Sequence, residues 1–207
     1  MRGWERVAKR ALDVTGAVVG LTLSAPVIGV AAALIKREDG GPVFFRQERV
    51  GLHGASFHVL KLRTMVVNAE AQGAGFAVDA GDARILKIGE LLRKTSIDEL
   101  PQFWNILVGE MSLVGPRPTL RYQVDQYTPH QARRLDVTPG VTGWAQIHGR
   151  ASLPWSERIE LDVWYVDHQS LRLDISIMLR TVSTIFSRSG TYKGEAGGWQ
   201  PTDGGGA

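Results

Sequence analysis

The chain has 207 residues, with 24 lysines and arginines against 21 aspartates and glutamates, and a formal net charge of +3. That length suits one globular unit with a sizeable core, and the mild basicity, an isoelectric point near 9.4, suits an anionic surface or an anionic small substrate. The absence of cysteine excludes disulfides, thiolate metal sites and a cysteine nucleophile, and the histidines show no i, i+3 or i, i+4 pair of the kind that holds zinc on a helix.

The first ten residues carry Arg2, Arg6, Lys9 and Arg10; from Val14 to Ile35 no charge occurs, and Lys36-Arg37 close the run. About 22 residues at about 1.5 Å each give roughly 33 Å of helix, enough to cross a hydrocarbon core. Ser24-Ala25-Pro26 lies mid-run, and proline there removes a backbone bond and predicts a kink or break. Three readings fit: a signal peptide, opposed by the length of the apolar run and the basic stretch after it; a spanning helix, opposed by basic flanks on both sides; and a re-entrant helix-break-helix that returns both flanks to one side.

After the Gly40-Gly41-Pro42 turn, Val43–Phe45 and Phe57–Leu62 read as strands of a hairpin around Gly51–Gly54. Met65–Gln72 is predicted as a short helix, Gly73–Asp82 as a Gly-rich loop, Arg84–Leu92 as a helix, and Asp98–Val108 as a helix stopped by Gly109. Thr119–Leu135 reads as a helix interrupted near Pro129, Thr138–Gly149 as turn and strand, and Pro154–Ile185 as a long helical region rich in aromatic residues. Part of that last region is compatible with a membrane interface. Beyond Ser187 the Gly-rich tail reads as disordered.

The segment Arg93-Lys94-Thr95-Ser96-Ile97-Asp98-Glu99-Leu100-Pro101-Gln102 sets two adjacent carboxylates between a basic pair and a proline. Pro101 is best tolerated in a first turn, which makes Asp98 an N-cap, or Ser96 with Glu99 a capping box. Either arrangement favours ionised carboxylates through the helix dipole. The pair then reads as a cap, or as a nucleophile toward phosphorus with a neighbour able to hold a hard cation through oxygen. The residues alone leave both open.

Several longer motifs carry a resemblance. Phe44-Phe45-Arg46-Gln47-Glu48-Arg49-Val50-Gly51, Lys61-Leu62-Arg63-Thr64-Met65, Arg93–Gln102, Gly109–Pro118 and Pro139-Gly140-Val141-Thr142-Gly143-Trp144-Ala145-Gln146 occur in that order. Together they resemble the bacterial sugar transferase family, the polyprenyl-phosphate phosphoglycosyl transferases, over roughly Lys9 to Thr184. The small size resembles the monotopic members.

The resemblance implies an α+β fold, mainly helical with a small β-hairpin or sheet, an N-terminal re-entrant helix broken at Ser24 and Pro26, and interfacial helices. It implies a membrane element over 1–37, a catalytic domain over 38–186 and a tail over 187–207. The implied reaction moves a sugar 1-phosphate from a UDP-sugar to undecaprenyl phosphate, releasing UMP, through a covalent phosphosugar-aspartyl intermediate. Asp98 matches the nucleophile, Glu99 its partner carboxylate, and both match the family's Mg2+ association. Arg117 matches a phosphate-binding arginine, and Arg93, Lys61 and Arg63 match basic positions of the site.

The expected partners are the donor, the lipid acceptor and membrane lipids, with a homodimer allowed for but not specified. The expected location is the cytoplasmic face of the bacterial inner membrane, at the first membrane step of exopolysaccharide, O-antigen, capsule or glycoprotein glycan assembly. Three departures stand out: Ala25 separates Ser24 from Pro26, Ala83 and Leu86 replace the usual proline and threonine, and His148 stands where asparagine is common. They bear on the identity of the sugar. The rival readings are an inactive membrane-anchored interaction module and a nucleic-acid binder. Scattered basic residues and the lack of a groove-reading motif oppose the second.

Overall fold

The computed structural model describes residues 1, 3–72, 81–149 and 153–186. It begins with α1, Gly3–Asp39, a single helix about 55 Å long at the standard rise. Its buried positions Lys9, Asp13, Ala17, Ser24, Ala31 and Ile35 recur at steps of four and seven, one stripe along one face. The expected break at Pro26 is absent, because the helix runs through it without interruption. A proline inside a helix costs about 3 kcal/mol; packing of both halves against the body opposes that cost. Gly16 and Gly20 lie against Leu113 and Phe103, while Ile28, Ala31 and Ile35 pack with Leu62, Leu86 and Leu92.

The two ends of α1 are fastened by polar contacts. Arg10 donates to the carbonyls of Ile106 and Leu107 at 2.7 and 2.8 Å, and the Glu38 carboxylate accepts from the backbone N–H groups of Lys87 and Ile88 at 2.6 and 3.1 Å. One end of α1 thus caps the C-terminus of one short helix, and the other caps the N-terminus of a second, each with the charge its partner's dipole favours.

The hairpin is formed by β1, Phe44–Val50, and β2, Ser56–Leu62, antiparallel from Phe44 opposite Leu62 to Val50 opposite Ser56. Both strands are longer than the apolar runs suggested, since ladder pairing carries the polar Arg46–Arg49 stretch along. The expected helix over Met65–Gln72 is only a 3-10 turn at Ala69–Ala71: Asn68 is left-handed at φ 59, and Met65 pairs with Ile85 in a β-bridge. Most of the Gly73–Asp82 loop lies outside the described residues, as does the tail.

Helix α2, Lys87–Thr95, begins three residues later than predicted because the bridge occupies Ile85 and Glu38 caps the turn that follows. A 3-10 turn at Ile97–Glu99 leads into α3, Gln102–Val108, which Gly109 ends at φ 94. Then come β3, Ser112–Val114, α4, Arg121–Val124, and α5, Pro129–Ala132. The single interrupted helix foreseen over Thr119–Leu135 is therefore a set of short pieces, with Thr128 capping α5. Strand β4, Gly140–Thr142, runs parallel to β3, and α6, Trp144–Ile147, follows. The C-terminal helical region divides at Gln169 into α7, Trp155–His168, and α8, Leu171–Phe186.

Three apolar clusters hold these parts: Ala17 with Phe57, Val59, Ile106 and Met111; the α1–α2 cluster around Leu62; and Val114 with Tyr165 and Ile177. Large apolar side chains also stand uncovered, among them Leu23 and Val30 on α1, Leu91 on α2, Trp104 and Val108 on α3, and Leu179 and Val182 on α8. Among the described residues, α1 alone is long and apolar enough to cross a membrane.

Candidate active site

Two structural units converge on the acidic pair. Strand β2 alternates, so Phe57, Val59 and Lys61 share a face. The first two enter the core against α3, and Lys61 follows them to the 3-10 turn, where its Nζ lies 2.8 Å from Glu99 Oε1. Asn105 fixes this register: its Oδ1 accepts from Leu60 N at 3.0 Å, and its Nδ2 donates to the His58 carbonyl at 2.7 Å and to Glu110 at 2.8 Å. A side-chain amide thus continues the ladder at the edge of β2 and sets α3 against it.

The second unit is the crossing of Gly115–Pro118 with Thr138–Gly143. Gly115 N donates to Thr142 O, and Gly140 N donates to Pro116 O, each at 2.9 Å. A Cβ on Gly115 would sit 2.3 Å from the Thr138 carbonyl, so only glycine permits the contact. Two prolines and this crossing fix the backbone at Arg117. Arg134 completes the hold by donating from Nη2 to the Arg117 carbonyl at 2.9 Å. Arg117 then reaches Glu99 with both terminal nitrogens, Nη1 to Oε2 at 3.2 Å and Nη2 to Oε1, a forked pairing.

The two carboxylates consequently differ. Burial alone would raise Glu99, but Arg117 and Lys61 hold it well below the usual carboxylate range. Asp98 is 9% exposed and accepts no hydrogen bond from any described residue. Burial pushes it up to about 6, with Lys61 pulling the other way and the charge of Glu99 adding to the rise.

The expectation that a helix dipole favours the ionised form of both carboxylates, with Asp98 as an N-cap or Ser96 and Glu99 as a capping box, is corrected here for Asp98, which burial raises. Ser96 is left-handed at φ 58 and ends α2, so it caps nothing with Glu99. The pair lies in a 3-10 turn ahead of α3, and Pro101 precedes α3 directly.

Arg93 is near enough for its charge to act on Asp98. Arg63, expected at the site, is elsewhere: it is 5% exposed and pairs with Asp39, Nη1 to Oδ2 at 2.6 Å, while also donating to the Pro42 and Met65 carbonyls. It fastens the end of α1 to the exit of β2. Ser24 is buried on α1, its hydroxyl 3.4 Å from the Leu21 carbonyl, and Pro26 lines a groove between α1 and α2. Of the departures, Leu86 belongs to the α1–α2 core, and the His148 ring lies tilted against Trp144, their centres 4.1 Å apart.

Asn105, Arg134 and Asp162 were missed by the sequence reading. Asp162 pairs with Arg134 and is 2% exposed. The available signal was a carboxylate at a core position of an amphipathic helix, which demands a partner.

No group of three or more His, Cys, Asp or Glu side chains that could hold a metal occurs among the described residues. The donor set still fits magnesium in the mode where one or two carboxylates and substrate phosphates complete the shell. Asp98 offers unengaged oxygens, and Glu99 adjoins it.

Residues 4–188 match the family described as bacterial sugar transferase. The chain is 45% identical over 184 residues to the uncharacterized sugar transferase EpsL of Bacillus subtilis, covering 89% of this chain and 90% of that one. It is 44% identical to the UDP-N-acetylgalactosamine-undecaprenyl-phosphate N-acetylgalactosaminephosphotransferase of Aeromonas hydrophila, covering 88% of this chain but only 44% of that protein. To the UDP-glucose:undecaprenyl-phosphate glucose-1-phosphate transferase of Caulobacter vibrioides it is 43% identical, over 89% of this chain and 72% of the relative.

Proposed function

The chain belongs to the bacterial sugar transferase family, and on that premise we propose that it moves a sugar 1-phosphate from a UDP-sugar to undecaprenyl phosphate, releasing UMP. The observation that carries this reading is the unequal pair: Glu99 is clamped by Lys61 and Arg117, while Asp98 beside it accepts no hydrogen bond from any described residue. An unengaged, partly desolvated carboxylate with cations around it is suited to attack phosphorus.

In the first step an Asp98 oxygen bonds to the β-phosphorus of the donor. The bond from that phosphorus to the bridging oxygen breaks, and UMP leaves with the electron pair. In the second step an oxygen of the lipid phosphate bonds to the same phosphorus, and Asp98 departs as a carboxylate. Lys61 and Arg117 keep Glu99 from competing as nucleophile and lend positive potential where phosphoryl charge gathers. Magnesium held by Asp98 and Glu99 would supply neutralisation of the donor's pyrophosphate charge.

The apolar groove of ≈ 340 Å³ between α1 and α2, lined by Pro26, Val30, Leu34, Ile88, Leu91 and Ile97, suits the isoprenoid chain of the acceptor. Its lining includes Ile97, the residue before Asp98. The uncovered apolar side chains of α1, α2, α3 and α8 suit the face of a bilayer.

Both ends of α1 are bonded to one body, through Arg10 at one end and Glu38 and Asp39 at the other. That supports a helix embedded from one side rather than one crossing to the far side, here the cytoplasmic face of the inner membrane. Cysteines at Arg6 and Arg37 should therefore label from the same side of sealed vesicles, and labelling from opposite sides would overturn the topology. For the activity, the test is UMP release across a panel of UDP-sugars with undecaprenyl phosphate and magnesium. At least one sugar should support release; none doing so would sink the reading.

A further inference from the structure

Helix α7 presents Arg158 and Asp162 four residues apart, a spacing at which opposite charges on one helix face ordinarily pair. They do not pair here. Asp162 gives Oδ2 to Arg134, and its Oδ1 is buried without a partner. The Arg158 Nε is likewise buried without a partner. Arg134 spends its two terminal nitrogens on Tyr127, Asp162 and the Arg117 carbonyl, and its Nε is buried without a partner.

Both guanidiniums lie over the Trp155 ring, Arg158 at 5.0 Å and Arg134 at 5.6 Å from its centre. The result is two guanidiniums over one ring with a single carboxylate that only Arg134 engages, tied to the Arg117 backbone through Arg134. Burial first, and then the charge of Arg134, disfavour the Arg158 cation; Asp162 offsets part of this and Arg117 adds to it. A partly buried cation in such company is unfavourable unless an anion joins it.

Arg117 meanwhile has its fork turned onto Glu99. A nucleotide diphosphosugar brings two phosphate groups, and a lipid phosphate brings a dianion. One arginine already engaged by a carboxylate is a thin provision for either.

We propose that Arg158, seated over Trp155, is a second phosphate-binding arginine of this site, taking either the nucleotide-side phosphate of the donor or the phosphate of the lipid acceptor. The assignment rests on the sugar-phosphate transfer reading for its substrates, but not for its measurement. Its planar fork matches the geometry of a phosphate group.

The test uses the full chain in detergent or nanodiscs, with Arg158→Lys, Arg158→Gln and Arg158→Met. Melting temperature, calorimetric binding of UMP and of inorganic pyrophosphate, exchange of labelled UMP into UDP-sugar, and KM for undecaprenyl phosphate are all recorded. If the donor's phosphate is the ligand, UMP affinity and exchange should weaken at least tenfold in Arg158→Gln and Arg158→Met, with the acceptor KM unchanged. If the acceptor's phosphate is the ligand, its KM should rise at least tenfold, with UMP binding unchanged. Melting of Arg158→Gln and Arg158→Met should stay level or rise, because an unmatched cation has been removed.

Affinities and KM values within twofold of wild type would overturn the proposal. So would a fall in melting temperature in all three variants, which would make Arg158 a structural residue. A wild-type protein that binds UMP through Arg158 yet transfers no sugar would overturn the transfer reading and leave this one standing.

Discussion

Two buried polar groups in this molecule use the same residue types to opposite ends. Around α1, Lys9 Nζ reaches Asp174 Oδ2 at 2.7 Å and the Val114 carbonyl at 3.1 Å, and Tyr165 Oη donates to Asp174 Oδ1 at 2.6 Å. Asp13 accepts from Ser112 Oγ and Leu113 N, each at 2.9 Å. This group is closed: among the described residues it contains no buried side-chain atom without a partner.

The group running from Asp98 through Arg117 and Arg134 to Arg158 is open. It holds three of the six buried unpartnered side-chain atoms found among the described residues, besides an unbonded Asp98. Burial is common to both groups. What separates a fastening from a reactive site is whether charge and hydrogen bonds already balance in the free protein.

The sharpest way to break the comparison is at Asp98. In Asp98→Asn, UMP release should fall by more than about 10³-fold, since the nucleophile is gone and the remaining groups only position. The fold should hold, because no bond among the described residues is lost. Turnover above a tenth of wild type would move the nucleophile elsewhere.

The closed group predicts the reverse pattern. Lys9→Met leaves Asp174, which is fully buried, without its cation. It should lower stability in urea denaturation by about 3–5 kcal/mol, while kcat per folded molecule changes little. A loss below about 1 kcal/mol would mean that apolar packing, rather than this group, fastens α1.

Much of the open site was legible in the sequence because its members come in short runs. Asp98-Glu99 are adjacent, and Arg117 is framed by Pro116 and Pro118. The hairpin was readable from its apolar alternation and glycines. Three things were hidden, each for a physical reason.

Arg63 lies two residues after Lys61, just beyond the end of β2, so continued alternation would have let it share the site. The chain instead leaves the ladder at Leu62, and the free carboxylate of Asp39 captures the guanidinium. The expected break at Pro26 failed because tertiary contacts on both halves of α1 outweigh a local preference. Arg134 and Asp162 are 28 residues apart, and nothing local in either segment announces the other. Long-range pairing of single charges is what a sequence read in windows does not carry.

The difference between Asp98 and Glu99 also gives the comparison a pH axis. Glu99 stays ionised throughout the useful range because two cations hold its carboxyl down. Asp98, at about 6 in the folded chain against an ordinary 3.8, keeps its proton where the unfolded chain has lost it.

Stability therefore falls as pH rises from about 4 to 6 and is level above. The cost approaches about 3 kcal/mol, at 1.36 kcal/mol per pKa unit. Catalysis runs the other way: the attacking form is the carboxylate, so kcat/KM for the UDP-sugar, which reports the free enzyme, should rise with pH on the acid side and then level.

Urea denaturation of wild type and Asp98→Asn at successive pH values isolates the effect. The variant should gain on wild type across that same window and hold a constant advantage above it. A stability difference independent of pH from 4 to 7 would mean that Asp98 is ionised throughout, as a carboxylate in a balanced group would be. The site would then be closed, and the contrast with the Lys9 group would fail.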